Sequence, residues 1–148
     1  MAIDLGIEMN ECRIYEKGGL HHFMTKRFDR VNGDKVHMQT LAALGHFDYN
    51  TPNVCSYEPY ADLSKRLGIG KSGIEQIFMR TVFAVKGGNC DDSDNDLMSF
   101  GRTIGLSAEF CRRTIARTDD VVSHWLEYAA RCKISEERAI EIQSSLIN

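Results

Sequence analysis

Proline is nearly absent from this sequence, and its scarcity constrains the fold more than any other feature. Only two prolines occur in 148 residues, Pro52 and Pro59, and both lie in one segment rich in Asn, Ser and Tyr. Proline lacks the amide hydrogen that helices and central strands require. Because the rest of the chain carries none, helices can form without interruption on both sides of this segment. We therefore predict a mainly α-helical protein.

One short segment near the N-terminus has the pattern of strands instead. Apolar and polar residues alternate weakly over residues 12–15, and a second run of similar character covers residues 21–27. Gly18 and Gly19 separate the two runs. A pair of glycines between apolar runs is typical of a tight hairpin turn. We predict a small N-terminal antiparallel β-hairpin.

Helix-spaced apolar residues and helix-end signals predict the remaining elements. A helix around residues 41–44 is expected to end at Gly45. Ser72, followed three residues later by Glu75, predicts a capping box that opens a helix through Phe83. Residues 86–96 are polar and acidic and predict a loop. Further helices are predicted over residues 60–67, 96–104, 108–117, 119–131 and 136–146.

Length, charge and cysteine usage indicate one ordinary globular domain over residues 1–148. A net charge of -3 with 43% hydrophobic residues disfavours disorder and direct nucleic-acid binding. No apolar run approaches the ~18 residues of a membrane helix, and the N-terminus has no secretory pattern. Five scattered cysteines predict reduced thiols rather than a disulfide framework. We expect a cytoplasmic protein with no membrane partner.

Two short motifs resemble ligand sites but lack required residues. Residues 68–72 read Gly-Ile-Gly-Lys-Ser, yet Lys65 stands where a phosphate loop needs its first glycine. Residues 91–96 are acidic, yet Leu97 and Thr103 occupy positions that a calcium-binding EF-hand loop gives to Gly and Glu. We interpret the first motif as a turn before a helix and the second as a solvated acidic loop.

Longer stretches resemble the HipA-like kinases, which are bacterial Ser/Thr protein kinases, several of them toxins of type II toxin–antitoxin systems. The most specific stretch is Lys-Arg-Phe-Asp-Arg, residues 26–30, with the later His-Met-Gln-Thr of residues 37–40. Residues 6–13, 74–83 and 96–107 are also similar to the family. The resemblance implies a partial protein-kinase-like helical large lobe. It divides the single domain into a hairpin and hinge (1–30), a helical part (31–85), an acidic loop (86–96) and C-terminal helices (97–148).

The resemblance also implies a cofactor site. In these kinases the strand that ends in Arg-Phe-Asp is similar to a kinase hinge, whose main chain binds the adenine of ATP. Lys26 and Phe28 are then the cofactor-binding residues. Their side chains are free to vary, because the peptide groups supply the hydrogen-bonding donor and acceptor. The implied cofactors are ATP and Mg²⁺.

The segment after residue 85 can be matched to the family in two ways. In the first, residues 89–96 correspond to a catalytic loop of the form Asn-x-Asp-Asp-His-x-Lys-Asn. Asp91 is then the catalytic base, and Asp96 stands where a magnesium-binding Asn is expected and offers the same oxygen chemistry. In the second, residues 85–92 match a later glycine-containing turn, and the catalytic and metal-binding section is missing. Spacing leaves both alignments open.

The resemblance therefore implies an incomplete HipA-like Ser/Thr kinase, whose parent activity is ATP-dependent protein phosphorylation. We expect this chain alone to be inactive, because the family's phosphate loop and ATP-binding lysine precede the matched residues and the catalytic loop is altered or missing. The alternative is a non-catalytic helical protein-binding module derived from the same fold. Its partner would be an antitoxin-like protein or another kinase chain.

Overall fold

The computed structural model describes residues 1–48, 50–51, 57–89 and 92–146, and it confirms a mainly helical protein with a small N-terminal β-hairpin. The strands are β1 (Cys12–Lys17), β2 (Leu20–Thr25), β3 (Arg30–Val31) and β4 (Asp34–Lys35). The helices are α1 (Leu41–Gly45), α2 (Tyr57–Arg66), α3 (Lys71–Ala84), α4 (Asp94–Thr103), α5 (Ala108–Ser123), α6 (Trp125–Arg131) and α7 (Glu136–Leu146). A π-helical segment, Val85–Asn89, follows α3 directly.

The predicted hairpin is present with the predicted turn. β1 and β2 pair antiparallel in the register that places Lys17 opposite Leu20. Gly18 and Gly19 have φ values of +60° and +77°, the left-handed conformation that matches the twist of a two-residue hairpin. Every residue of both strands is exposed. The hairpin therefore lies outside the helical core.

Helix α3 forms the centre of the core. Phe78 and Val82 are completely buried, as the apolar character of this helix predicts. The Phe78 ring centroid lies 6.2 Å from that of Phe100 on α4 and 6.1 Å from that of Phe110 on α5. These aromatic contacts join α3, α4 and α5 into one cluster, to which α2 contributes Ala61.

The N-terminal segment packs on the opposite side of α3 and leads into the hairpin. Leu5 and Ile7 are buried in a second cluster with Val121 of α5. The Gln76 side chain accepts a hydrogen bond from the amide of Glu8 and donates one to the carbonyl of Gly6, both at 2.9 Å. The base of the hairpin is therefore held against α3, although its strands are exposed.

Several helix ends differ from the prediction. Helix α3 begins at Lys71 after Gly70, so Ser72 and Glu75 lie inside the helix and the predicted capping box is wrong. Lys71 Nζ instead lies 3.7 Å from a carboxylate oxygen of Glu75. Pro59 lies in the first turn of α2, where its missing amide hydrogen breaks no helical bond.

The C-terminal helices are divided at a different point than predicted. Helix α5 is capped by Ser107, as predicted, but runs on to Ser123, and α6 starts only after His124. Helix α7 covers the predicted residues 136–146. The indole of Trp125 donates a 2.8 Å hydrogen bond to the carbonyl of Ala139 and so ties α6 to α7. None of the helices that the structure describes is long and apolar enough to cross a bilayer.

Candidate functional site

Asp29 holds the segment that leaves β2 in a single conformation. Its side chain is only 11% exposed. Arg27 donates two hydrogen bonds to the carboxylate, Nε to Oδ1 at 2.7 Å and Nη2 to Oδ2 at 2.5 Å. Arg30 adds Nη1 to Oδ2 at 2.6 Å and to the main-chain carbonyl of Asp29 at 2.9 Å. Such bidentate, charge-assisted pairs have well-defined geometry.

The charge of Asp29 persists well into the acid range. Hydrogen bonding from the Arg27 guanidinium lowers the pKa of Asp29 to about 2, although partial burial acts in the opposite direction. The same pair raises the pKa of Arg27. At neutral pH the Asp29 carboxylate is therefore charged, and it is bound by the arginines that precede and follow it in the chain; we call this arrangement the arginine brace.

The hinge hypothesis requires main-chain groups of Lys26 and Phe28, which lie beside the arginine brace. The amide of Lys26 donates to the carbonyl of Glu11 at 2.8 Å and is therefore used by the hairpin. In the described part of the chain, no hydrogen bond uses the carbonyl of Lys26 or the amide and carbonyl of Phe28. Among the described residues, the acceptor at Lys26 and the donor at Phe28 are thus without a hydrogen-bonding partner.

A cavity of about 270 Å³ lies at the open end of the hairpin. Glu11, just before β1, and Lys26, just after β2, both line it, and their charged groups lie 3.8 Å apart. The other lining residues are Cys12, Arg13, Met24 and Thr25. Small-molecule sites occupy roughly 300–1,000 Å³, so the cavity is slightly smaller than that range. Phe28 is not among its lining residues, and its side chain is 65% exposed.

Asp96 caps helix α4. Its Oδ2 accepts hydrogen bonds from the amide of Ser93 at 2.9 Å and from the Ser93 hydroxyl at 2.6 Å. Ser93 Oγ accepts in return from the amide of Asp96 at 3.3 Å, which completes a capping box. The hydrogen bond from the Ser93 hydroxyl lowers the pKa of Asp96. The acidic segment therefore already contains the first turn of α4.

The remaining predicted site residues are not joined to this cap. No hydrogen bond or ion pair between described residues links Lys26 or Phe28 to Asp96. Asp91, the predicted base, lies outside the described residues. Within the described ranges no three His, Cys, Asp or Glu side chains are grouped closely enough to hold a metal ion. The roles of Asp91 and Asp96 in catalysis and metal binding stay predictions.

Lys86 is an organising residue that sequence reasoning missed. Its Nζ lies 2.7 Å from Oδ1 of Asp94 and 2.9 Å from Oδ1 of Asp119, and its side chain is 22% exposed. Burial lowers the pKa of Lys86, but hydrogen bonds to the two carboxylates outweigh it and the pKa is raised. Lys86 thus ties the π-helical segment to α4 and α5. Asp119 is too distant in sequence for any local pattern to indicate the pairing.

Comparison with known protein families gives a match over the first part of this chain. The family model of the HipA-like C-terminal domain matches residues 1–92, whereas no curated protein and no solved structure matches. The matched part contains the hairpin, the braced segment and α1 to α3. It includes Asp91 and ends before Asp96. Since the match covers more than half of the 148 residues, the chain belongs to the HipA-like C-terminal domain family.

Proposed function

We propose that this chain binds the adenine ring of Mg-ATP through the main chain of Lys26 and Phe28, as part of a HipA-like Ser/Thr protein kinase. The observation that carries the proposal is that the carbonyl of Lys26 and the amide of Phe28 have no hydrogen-bonding partner among the described residues. Adenine presents an amino donor next to ring-nitrogen acceptors. One peptide carbonyl and one peptide amide can therefore pair with it.

The arginine brace supports this proposal energetically. Binding a ligand to a mobile loop costs the entropy of ordering that loop. Asp29 removes part of this cost in advance, because Arg27 and Arg30 fix the peptide that carries Phe28. Family membership adds the expectation that the ligand is ATP.

We propose that phosphoryl transfer by this chain alone is absent or very slow. On the alignment that retains a catalytic loop, Asn95 replaces a lysine that would place a cation near the transferring phosphate. Ser93 replaces a histidine and is engaged with Asp96 in the helix cap. Protein phosphorylation and a toxin–antitoxin role are accordingly proposed for a kinase in which this domain is one part.

The test is thermal melting with and without 5 mM Mg-ATP. A ligand at 100 times its dissociation constant adds about 2.7 kcal/mol. For a domain of this size each kcal/mol moves the melting temperature by about 2–4 °C, so we expect a rise of roughly 5–10 °C. Mg-GTP serves as the control, because its base presents the reverse donor and acceptor pattern at the paired edge.

Two variants of one residue separate main-chain from side-chain binding. Phe28→Pro removes the amide hydrogen and should abolish the shift. Phe28→Ala keeps that amide and should retain it. An equal shift with Mg-GTP, or an undiminished shift in a folded Phe28→Pro variant, would contradict the hinge.

If Mg-ATP-dependent phosphorylation is detected, Asp91→Asn should abolish it, and unchanged turnover would rule out Asp91 as the base.

A specific observation favours a second candidate, a non-catalytic module that binds an antitoxin-like protein or another kinase chain. Four large apolar side chains in the segment after the hairpin are between 45% and 65% exposed. They are Phe28, Val31, Val36 and Met38. Exposed apolar surface of this kind marks interaction sites. A module of this kind needs no nucleotide, so an unchanged melting temperature with Mg-ATP would favour it over the hinge.

A further inference from the structure

The β1–β2 hairpin is an exposed two-stranded sheet, and the Glu16 carboxylate of β1 forms a 3.3 Å ion pair with Lys133 in the turn after α6. Neither strand pairs with a third strand in the described part of the chain. Ile14 and Phe23 face each other in the hairpin and are 54% and 67% exposed. An isolated two-stranded sheet is only marginally stable in water, and an exposed strand edge is a template for a further strand. The open edges of the hairpin can therefore pair with a further strand.

The hydrogen-bonding pattern identifies the groups at the open edge of β1. The amide of Lys26 donates to the carbonyl of Glu11, so these two residues form a hydrogen-bonded pair. Such pairs alternate along an antiparallel ladder with pairs that are not hydrogen-bonded. The main-chain hydrogen bonds to β2 are therefore made by Arg13, Tyr15 and Lys17. The open edge of β1 is formed by the amides and carbonyls of Cys12, Ile14 and Glu16.

We propose that β1 pairs antiparallel with β1 of a second copy of this chain, around a two-fold axis at Ile14. A two-fold axis perpendicular to the sheet keeps each face on its own side, so each residue meets one on the same face. Ile14 then lies opposite Ile14 of the second copy, and Cys12 opposite Glu16. Glu11 lies opposite Lys17, and symmetry produces this oppositely charged pair twice.

Charge selects this register over its neighbours. Moving the axis to Tyr15 would place Arg13 opposite Lys17 of the second copy. Moving it to Arg13 would place the two Arg13 side chains opposite each other. Like charges directly opposite each other destabilise an antiparallel pair, whereas opposite charges stabilise it. Of these three axes, the one at Ile14 avoids a like-charged pair along β1 and adds attractive ones.

The same register also joins the apolar side chains. Because Ile14 faces Phe23 within each hairpin, the four-stranded sheet carries a continuous row of Phe23, Ile14, Ile14 and Phe23 across one face. On the other face Tyr15 meets Arg13 of the second copy, a cation–π arrangement. Pairing therefore covers side chains that are exposed in the single chain. A contact of this size is at the weak end of stable interfaces, so the dimer should be reversible.

Sedimentation velocity across protein concentrations tests the proposal with a charge exchange. The wild type should show a monomer–dimer equilibrium. Lys17→Glu reverses two charge pairs at once and should raise the dimer dissociation constant by roughly tenfold or more. The double variant Glu11→Lys/Lys17→Glu restores both pairs and should return the constant to within about threefold of wild type. Lys35→Glu, the same charge change on exposed β4, should leave it unchanged.

Three results would overturn the proposal. They are a wild type that stays monomeric at every concentration, a Lys17→Glu variant that dimerises like the wild type, and a double variant that is not restored. A dimer that Lys17→Glu leaves intact and Thr25→Lys abolishes would assign the contact to the β2 edge. Circular dichroism melts verify that each variant is folded. Nucleotide plays no part in this contact, so its failure leaves the proposed hinge untouched.

Discussion

Replacing Gly101 with alanine tests a close helix–helix contact in the core. Gly101 lies on α4 where that helix crosses α5 and α3. A Cβ added there would lie 2.4 Å from Sγ of Cys111 and 3.0 Å from Cε2 of Phe78. Cys111 is completely buried, and carbon atoms in contact are ordinarily about 3.5–4.0 Å apart. The thiol would have to move by more than 1 Å, or the two helices would have to separate.

The expected magnitude follows from two opposing effects. Overpacking a well-filled core costs about 1–3 kcal/mol. Alanine recovers roughly 1 kcal/mol, because glycine is a poor helix former. We expect a net loss of up to about 2 kcal/mol, and each kcal/mol lowers the melting temperature of a domain of this size by about 2–4 °C. The melting temperature should therefore fall by up to roughly 8 °C.

Urea unfolding of a double-mutant cycle provides the assay. Cys111→Ala removes the sulfur that the new methyl group meets, so Gly101→Ala should be far less harmful in that background. A coupling free energy of about 1 kcal/mol or more is expected between the two sites. Gly87→Ala is the matched control, because a Cβ there meets nothing within 4 Å. A Gly101→Ala protein that gains the full ~1 kcal/mol expected from helix propensity alone, or additive single effects, would refute the close contact.

Three further predictions concern ion pairs and a helix cap. Asp29 has a pKa of about 2 against a usual 3.8, so the stability that its ion pairs add to the folded protein should be complete above about pH 4 and disappear as the pH falls towards 2. Asp29→Asn should therefore be less stable than wild type at pH 6. A difference in urea midpoint between the two proteins that does not narrow by pH 2 would contradict this. Lys86→Met leaves two carboxylates without their cation and should cost roughly 1–3 kcal/mol in urea unfolding. Lys71→Met, which removes an exposed ion pair, should cost under ~1 kcal/mol, and equal losses would exclude the special role of Lys86. Ser93→Ala removes the N-cap side chain of α4 and should lower the unfolding free energy by about 1 kcal/mol, whereas an unchanged melt would show that the Ser93 cap adds nothing to stability.

The fold was predictable where neighbouring residues decide it. The hairpin was correct because two glycines that accept left-handed φ values connect two strand-like runs. Ser107 was correct as a helix cap because a cap acts on amides within its own first turn. The prediction that Ser72 caps α3 was wrong, because the helix starts earlier, at Lys71. A cap contributes about 1 kcal/mol, and burial of Ile74 and the following turn in the core easily outweighs it.

The candidate site was predictable only in part. The resemblance to HipA-like kinases singled out Lys26 and Phe28 from their sequence alone. The structure adds that the amide of Lys26 is already bonded to Glu11, which leaves its carbonyl as the available group. It also shows Asp96 in the capping box of α4. The Ser-x-x-Asp spacing indicates this role, but the prediction of a loop over residues 86–96 does not take it into account.

The sequence by itself determined the helix-rich composition, the hairpin turn, the charge pattern along β1 and the family. These depend on backbone preferences and on spacing between near neighbours, which are written directly into the order of residues. Only the tertiary structure decided that Lys86 joins Asp94 to Asp119 and that Gly101 admits the sulfur of Cys111. Such contacts arise where helices distant in sequence cross, and their energies depend on distances that no local pattern contains.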